Sequence, residues 1–255
     1  MKNIILSELD RMIKSRKNRW LIIISIGIFL LLAFYIRIYN VGFYNPKITT
    51  SLNSLNTPPF IIREFHLFLL FIFCPMIFIE SFNHEITSGA YRMYLIRGYK
   101  KIDYIISKFI SAVIFTGVFM IVLYVIGTLF GYFFINKVSE TTFFYTGINY
   151  TLKGALLYNL KFYLLEYLIV ITMLRICSIL SLFSKNSIIA YILSVSVCVG
   201  FIYINSAFDF FLTSTTTIYD VLARRNNTFI PICIIIIVVT VISSISVFKN
   251  KDYLN

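Results

Sequence analysis

Six apolar runs of this 255-residue chain are each long enough to cross a bilayer, and no other feature constrains its fold as much. A membrane helix needs about 20 largely apolar residues. The runs lie at 20–39, 60–80, 109–135, 156–183, 187–205 and 229–248. Lipid offers no hydrogen bonds, so each run must satisfy its own backbone N–H and C=O groups, as an α-helix does. The alternating ten-residue pattern of a membrane barrel is absent. The expected fold is therefore all-α: one polytopic membrane domain over 1–255 with six transmembrane helices. Charged residues make up 13% of the chain, against about 25% in a typical soluble domain.

The net charge of +12 admits two explanations, nucleic-acid binding or membrane orientation. The distribution favours the second, because basic residues collect in cytoplasmic connections. The N-terminal flank carries Lys2, Arg11, Lys14, Arg16, Lys17 and Arg19. The second connection carries Arg92, Arg97, Lys100, Lys101 and Lys108. Alternating spans put both on one side, with the C-terminal tail. Both termini are expected in the cytoplasm, with no nucleic-acid partner. The first run is not expected to be a cleavable leader, since a long charged segment precedes it and no small-residue cleavage site follows.

Residues 1–19 read as an amphipathic helix. Ile5, Leu9, Met12 and Ile13 recur at helical spacing, and Lys2, Glu8, Arg11 and Lys14 occupy much of the rest. Such a helix lies in the headgroup plane, which makes membrane lipid an expected partner. Trp20 follows at the depth that aromatic residues favour. A basic flank that only sets orientation is the plainer alternative. The first outer connection, 40–59, contains Pro46, Pro58 and Pro59 and is expected to be irregular. The fifth, 206–228, holds Phe208, Phe210, Phe211 and Leu212. It is too apolar for a solvated loop and too broken to span, which suits a short helix dipping into the outer leaflet.

Motifs exclude several chemistries. The phosphate-binding pattern Gly-x-x-x-x-Gly-Lys-Ser/Thr is absent, so the chain is not expected to hold ATP by that route. His66 and His84 are the only histidines and fall on opposite sides, which removes a His-Glu-x-x-His zinc site. No Gly-x-Ser-x-Gly elbow occurs. The expectation is no enzyme activity, no catalytic residue, no metal and no cofactor in this chain. Cys74, Cys177, Cys198 and Cys233 lie inside spans without Cys-x-x-Cys spacing and read as small hydrophobes.

Two charges sit deep in the fourth run, Glu166 and Arg175. Nine residues at about 100° each put them on opposite faces, about 13 Å apart along the axis, so they cannot neutralise each other. Arg175 can snorkel toward the headgroups. Glu166 needs a partner on another helix or a water-lined cavity. Intramembrane charges are costly and often functional, so both are candidates for a translocation path or a subunit contact. Structural packing and a proton relay remain open for Glu166. Arg63 and Glu64 read as an interfacial charge pair.

The connection between the second and third runs, 85–108, reads EITSGAYRMYLIRGYKKIDYIISK. Gly89 and Gly98 bracket a short segment that mixes Tyr91, Met93, Tyr94, Leu95 and Ile96 with Arg92 and Arg97. That suits a short surface helix with breakers at both ends. Aromatics with Arg are favoured at protein interfaces, so docking competes with a solvated basic loop as the explanation.

This stretch resembles the cytoplasmic signature of ABC-2 type permeases, the membrane subunits of one class of ATP-binding cassette exporters. That signature runs from a Glu near the end of span two, through a Gly-Thr and a hydrophobic segment, to a turn and a Lys opening span three. Glu85, Gly89, Leu95, Lys101 and Lys108 fall at matching offsets. Ala90 stands where Thr is common, Gly98 where Pro is common, and Lys100-Lys101 replaces Ser-Arg. The tail Phe248-Lys-Asn-Lys-Asp252 is similar to the family's usual ending.

The resemblance implies a bacterial plasma-membrane permease. It would act with a second permease chain, identical or paralogous, and two copies of a separate ABC ATPase subunit that carries ATP and Mg. Glu85, Gly89, Tyr91, Arg92, Leu95, Arg97, Lys100 and Lys101 would form the docked coupling helix. Small permeases of this length resemble those that handle antimicrobial or other amphipathic peptides. Sodium, drug or lipid export, or a non-transport scaffold or sensor role, are the alternatives.

Overall fold

The computed structural model describes residues 1–45, 48–79, 101–184 and 186–250. The positions expected to dock an ATPase, from Glu85 to Lys100, lie outside the described residues, and so does the tail 251–255.

The protein is all-α and polytopic. Six helices are long and apolar enough to cross a membrane. They are α2 (Arg16–Tyr39), α3 (Thr57–Ile79), α4 (Lys101–Phe134), α5 (Leu152–Phe183), α6 (Ser187–Ile204) and α8 (Phe229–Asn250). An N-terminal helix, α1 (Lys2–Lys14), meets α2 at an elbow on Ser15. A short helix, α7 (Ser214–Leu222), follows a 3-10 turn at Ser206–Phe211. Of the apolar windows of α3 and α5, 61% is enclosed by protein, against 22% for α2 and 17% for α6 and α8. So α3 and α5 form the centre, while α2, α6 and α8 present apolar flanks such as Ile24, Leu31, Ile192, Ile235 and Ile242.

Helix ends depart from the apolar runs where polar residues hide the helical continuation. α4 begins at Lys101, two turns before the run at 109. Its 34 residues extend about 51 Å, well beyond an apolar core of about 30 Å. Lys108 therefore lies inside α4 and is buried rather than marking the helix start. α5 begins at Leu152, a turn before 156. α2 ends with Asn40 in the left-handed region (φ 48°), and the Val41 N–H reaches back to the Ile36 carbonyl at 3.0 Å. That closes the helix in the Schellman manner.

The connections opposite α1 are more ordered than their composition suggests. The first is a hairpin, not an irregular loop: β1 (Phe43–Asn45) pairs antiparallel with β2 (Ile48–Thr50). The third holds a second hairpin, β3 (Glu140–Thr142) with β4 (Asn149–Thr151). Asn53 joins the two loops through its amide to the Thr141 hydroxyl, 2.8 Å. In the fifth connection Phe210, Phe211, Ile218 and Tyr219 are buried against the bundle, where the neighbouring loops and α5 offer protein surface for them, while Leu212 stays exposed.

Proline shapes α3 at two points. Pro59 stands in the first turn, where the backbone N–H has no intrahelical partner to lose, and Asn159 of α5 donates to the carbonyl of Leu55, just before the helix, at 2.7 Å. Pro75 lies inside the helix and leaves the Phe71 carbonyl without its i+4 donor. The helix widens just before it into a π turn, Leu69–Phe73, with the Cys74 N–H on the Leu69 carbonyl. The Tyr191 hydroxyl of α6 donates to the freed Phe71 oxygen at 2.6 Å. A buried unpaired carbonyl costs about 1–3 kcal/mol, so Tyr191→Phe is expected to destabilise by that order in thermal unfolding. Pro75→Ala restores an N–H, so adding Tyr191→Phe to it should cost markedly less. Equal costs in the two backgrounds would show that Tyr191 does not compensate Pro75.

Candidate functional site

A seam of polar ties joins the two central helices. Asn159, Tyr163 and Glu166 recur at i, i+4 and i+7, so they share one face of α5. Each meets a partner on or beside α3, in the same order along both helices, so the two run parallel. Asn159 donates to the Leu55 carbonyl at 2.7 Å, and the Tyr163 hydroxyl donates to the Pro58 carbonyl at 3.2 Å. Glu166 is fully buried, and its Oε1 meets His66 Nδ1. The other ring nitrogen, Nε2, lies 3.2 Å from the Phe211 carbonyl in the 3-10 turn. Glu166 thus has the inter-helix partner its depth demands.

The chemistry of this pair follows from its donors and acceptors. A carbonyl can only accept, so Nε2 carries a hydrogen. Nδ1 faces the Glu166 Oε1 acceptor, so a hydrogen bond between them needs one hydrogen, whichever of the two carries it. The pair is therefore neutral overall, written either as imidazolium and carboxylate or as imidazole and carboxylic acid. Neutrality avoids the large cost of an isolated buried charge. Among the described residues Glu166 Oε2 and Asn159 Oδ1 have no hydrogen-bond partner, so the seam holds two unused buried acceptors.

The turn that meets His66 is part of an aromatic cap. The Phe43 and Phe144 rings lie tilted against each other with centroids 4.1 Å apart, and Tyr219 lies 5.4 Å from Phe43 and 5.2 Å from Phe162. Arg63 pairs with Glu64 at 2.7 Å, as their adjacency suggests, and its guanidinium lies 5.6 Å from the Phe43 ring. Burial pushes the Tyr219 hydroxyl well above its ordinary value, and Arg63 offsets part of that rise. The cap thus gathers the first, third and fifth connections over the top of the seam.

Arg175 does not snorkel. It is 2% exposed, with its guanidinium 4.4 Å from the Phe109 ring of α4. One terminal nitrogen donates to the Ser244 hydroxyl of α8 at 2.8 Å, while Nε has no partner among the described residues. Glu166 and Arg175 are not brought together, consistent with their opposite faces.

At the other end, Glu8 is 2% exposed although it belongs to the charged set of α1. Lys108 of α4 reaches its Oε2 at 3.0 Å, and Arg11 reaches the same oxygen at 2.7 Å. The buried face of α1 is Ile4, Glu8 and Met12, while Leu6 and Ile13 point outward. Two site residues escaped the sequence reading, His66 and Glu8. His66 was findable: it is the one histidine in the second run, and that run descends in the same direction as the fourth. Glu8 had no such signal, because one charge on an amphipathic helix looks like any other.

A family model described as "Protein of unknown function (DUF2705)" matches residues 20–254. The chain belongs to this family. No curated protein matches it. The DUF2705 match begins at Trp20, inside α2, and covers the rest of α2, the other five long helices and the seam.

The seam pair generates a direct expectation. Removing one member of a buried pair costs about 3–5 kcal/mol because the other is left unpaired. Glu166→Leu or His66→Leu alone should therefore lower the melting temperature sharply in detergent. The double replacement should recover most of the loss. A double variant as unstable as the sum of the singles would show that the two groups do not depend on each other.

Proposed function

We propose that this chain is the permease subunit of an ABC-2 type ATP-binding cassette exporter in a bacterial plasma membrane. The observation that carries the reading is the base of α4. That helix runs about two turns past its apolar stretch, and the buried Lys108–Glu8–Arg11 cluster clamps it to α1. A helix that leaves the membrane and is braced at its exit makes a lever. A force on the 85–101 connection would reach the bundle without being lost in a loose joint.

In this reading the α1 end is cytoplasmic, as are both termini, and α1 lies along the headgroups. The segment around Gly89–Arg97 is the coupling helix, seated on an ATPase subunit that supplies ATP and Mg. Two such permease chains, identical or paralogous, form the path between them. Glu85, Tyr91, Arg92, Leu95, Lys100 and Lys101 belong to the docked region. Closure of the ATPases would drive the bundle between two packed arrangements, which needs firm contacts and no catalytic residue here.

The aromatic cap with the His66–Glu166–Phe211 contact lies at the far end, where cargo would leave. Cap and seam meet at one neutral pair, which suits an outer closure that opens and re-forms without exposing a charge to lipid. The cargo that suits this aromatic lining is an amphipathic peptide.

Two measurements test the proposal. Replacing Tyr91, Arg92 and Leu95 together with Ala should release the ATPase, or abolish stimulation of its hydrolysis, with membrane insertion unchanged. Normal assembly and stimulated hydrolysis after that change would overturn the coupling role and leave a scaffold reading in its place. For orientation, a cysteine at position 101 should resist a membrane-impermeant thiol reagent in intact cells, and labelling from outside would invert the topology.

A further inference from the structure

A groove of about 740 Å³ opens at the elbow between α1 and α2. Its lining divides by chemistry. Arg11, Lys14 and Lys17 come from α1 and the first turn of α2, and Asn18 stands beside them. The opposite wall is Met76 and Ile77, from the last turns of α3. The elbow is held in shape, since the Asn18 amide donates to the Met12 carbonyl at 2.9 Å. A basic rim over an apolar wall, at the point where a surface helix becomes a spanning one, matches one kind of molecule in its surroundings.

We propose that this groove binds the headgroup of an anionic phospholipid, with the phosphate among Arg11, Lys14 and Lys17 and the upper acyl chain along Met76. Three features favour a bilayer lipid over a soluble anion. Leu6 and Ile13, seven residues apart on one face of α1, are exposed apolar side chains, as is Trp20 just past the elbow. Such residues belong against lipid, which places the groove at headgroup depth. Met76 is 45% exposed and offers the acyl chain a contact beside the rim. Among the described residues, the acidic side chain that lines the rim, Asp10, is matched by Lys14 at 2.7 Å. That pair is solvent-exposed, and such pairs are weak enough to yield to a phosphate.

The consequence is anchorage. A lipid bridging α1 to the end of α3 would hold the elbow from the membrane side, while Lys108 holds α1 from the protein side. The inference rests on the membrane fold and not on the transport reading, so it can be tested without any ATPase.

The full chain, purified in detergent, is titrated with phosphatidylglycerol, with phosphatidylcholine of the same acyl chains, and with glycerol 3-phosphate. Native mass spectrometry reads the bound lipid and thermal unfolding reads the stabilisation. Phosphatidylglycerol alone should bind tightly and raise the melting temperature. Lys14→Gln with Lys17→Gln, both replacements at the rim, should weaken it roughly 30-fold, at about 1 kcal/mol for each cation near an anionic phosphate. The variant's melting temperature in phosphatidylcholine should match the parent's, which shows that the fold is intact. Equal binding of the two lipids, or unchanged phosphatidylglycerol affinity in the variant, would overturn the site. An equal effect of glycerol 3-phosphate would make it a soluble-phosphate site and overturn the lipid assignment.

Discussion

Inside a bilayer a polar group has no water to fall back on, and each one that enters must be answered by the chain itself. That constraint arranges the centre of this protein. Pro75 strips α3 of a backbone donor and α6 supplies the missing hydrogen bond through Tyr191, while Asn159 of α5 answers the Leu55 carbonyl just before α3. Glu166 is carried into the core and meets His66 there. Arg175 meets an aromatic face and a serine instead of a carboxylate. The helices in the middle of the bundle are those with debts to settle, and α2, with an almost wholly apolar run, sits at the edge.

What could be read in advance was whatever depends on neighbours along the chain. An apolar run declares its own helix, so 187–205 and 20–39 differ from Ser187–Ile204 and Arg16–Tyr39 only by a few residues at an end. The start of α4 was hidden because Lys101, Asp103 and Lys108 look like a loop until α1 is seen covering one of them. The hairpins were hidden because two three-residue strands carry almost no periodic signal. The Glu166–His66 contact sits between these cases. Each residue announces itself as a charge or titratable group in a span, and both spans descend from the same end. Measured from the starts of the apolar runs, their depths differ by four residues, or about 6 Å. The contact is legible to that tolerance, and the rest is set by where α3 widens and how α5 starts, which no local pattern reports.

Two buried polar clusters, one at the α1 end and one deep between α3 and α5, differ in kind. The Glu8–Lys108–Arg11 cluster joins full charges, with two cations on one carboxylate among the described residues, so it gains by holding still. Breaking it would leave an uncompensated ion near the apolar boundary, and such breaks are expensive. The His66–Glu166 pair is neutral as a unit, because the Phe211 carbonyl and the shared hydrogen fix its proton count. Parting it strands dipoles or splits a charge only if the proton stays on the imidazole. With the proton on the carboxyl, both halves remain uncharged. One cluster is thus suited to a permanent brace and the other to a contact that opens.

The ties between spans also decide which helices can move. Lipid tails are as apolar as the helix flanks, so hydrophobic contact does little to fix one helix's height against another. Register comes from polar ties and from ring packing. α3 and α5 share three ties along the seam, α6 is pinned by Tyr191, and α8 is pinned by Ser244. Among the described residues, the apolar run of α2 makes ring contacts, such as Phe29 with Phe65 and Phe34 with Phe130, but no hydrogen bond from a side chain to another helix. Its one polar side chain in the middle of the run, Ser25, is buried without a partner. Sliding α2 by a turn would exchange one set of ring contacts for another and break no polar tie within the bilayer. Its ends are better held, by the Asn18 elbow and by the hairpin that follows Asn40. A rearrangement of this bundle therefore has its softest surface along α2, and α1, which is continuous with α2 through the elbow and clamped to α4, is the element placed to drive it.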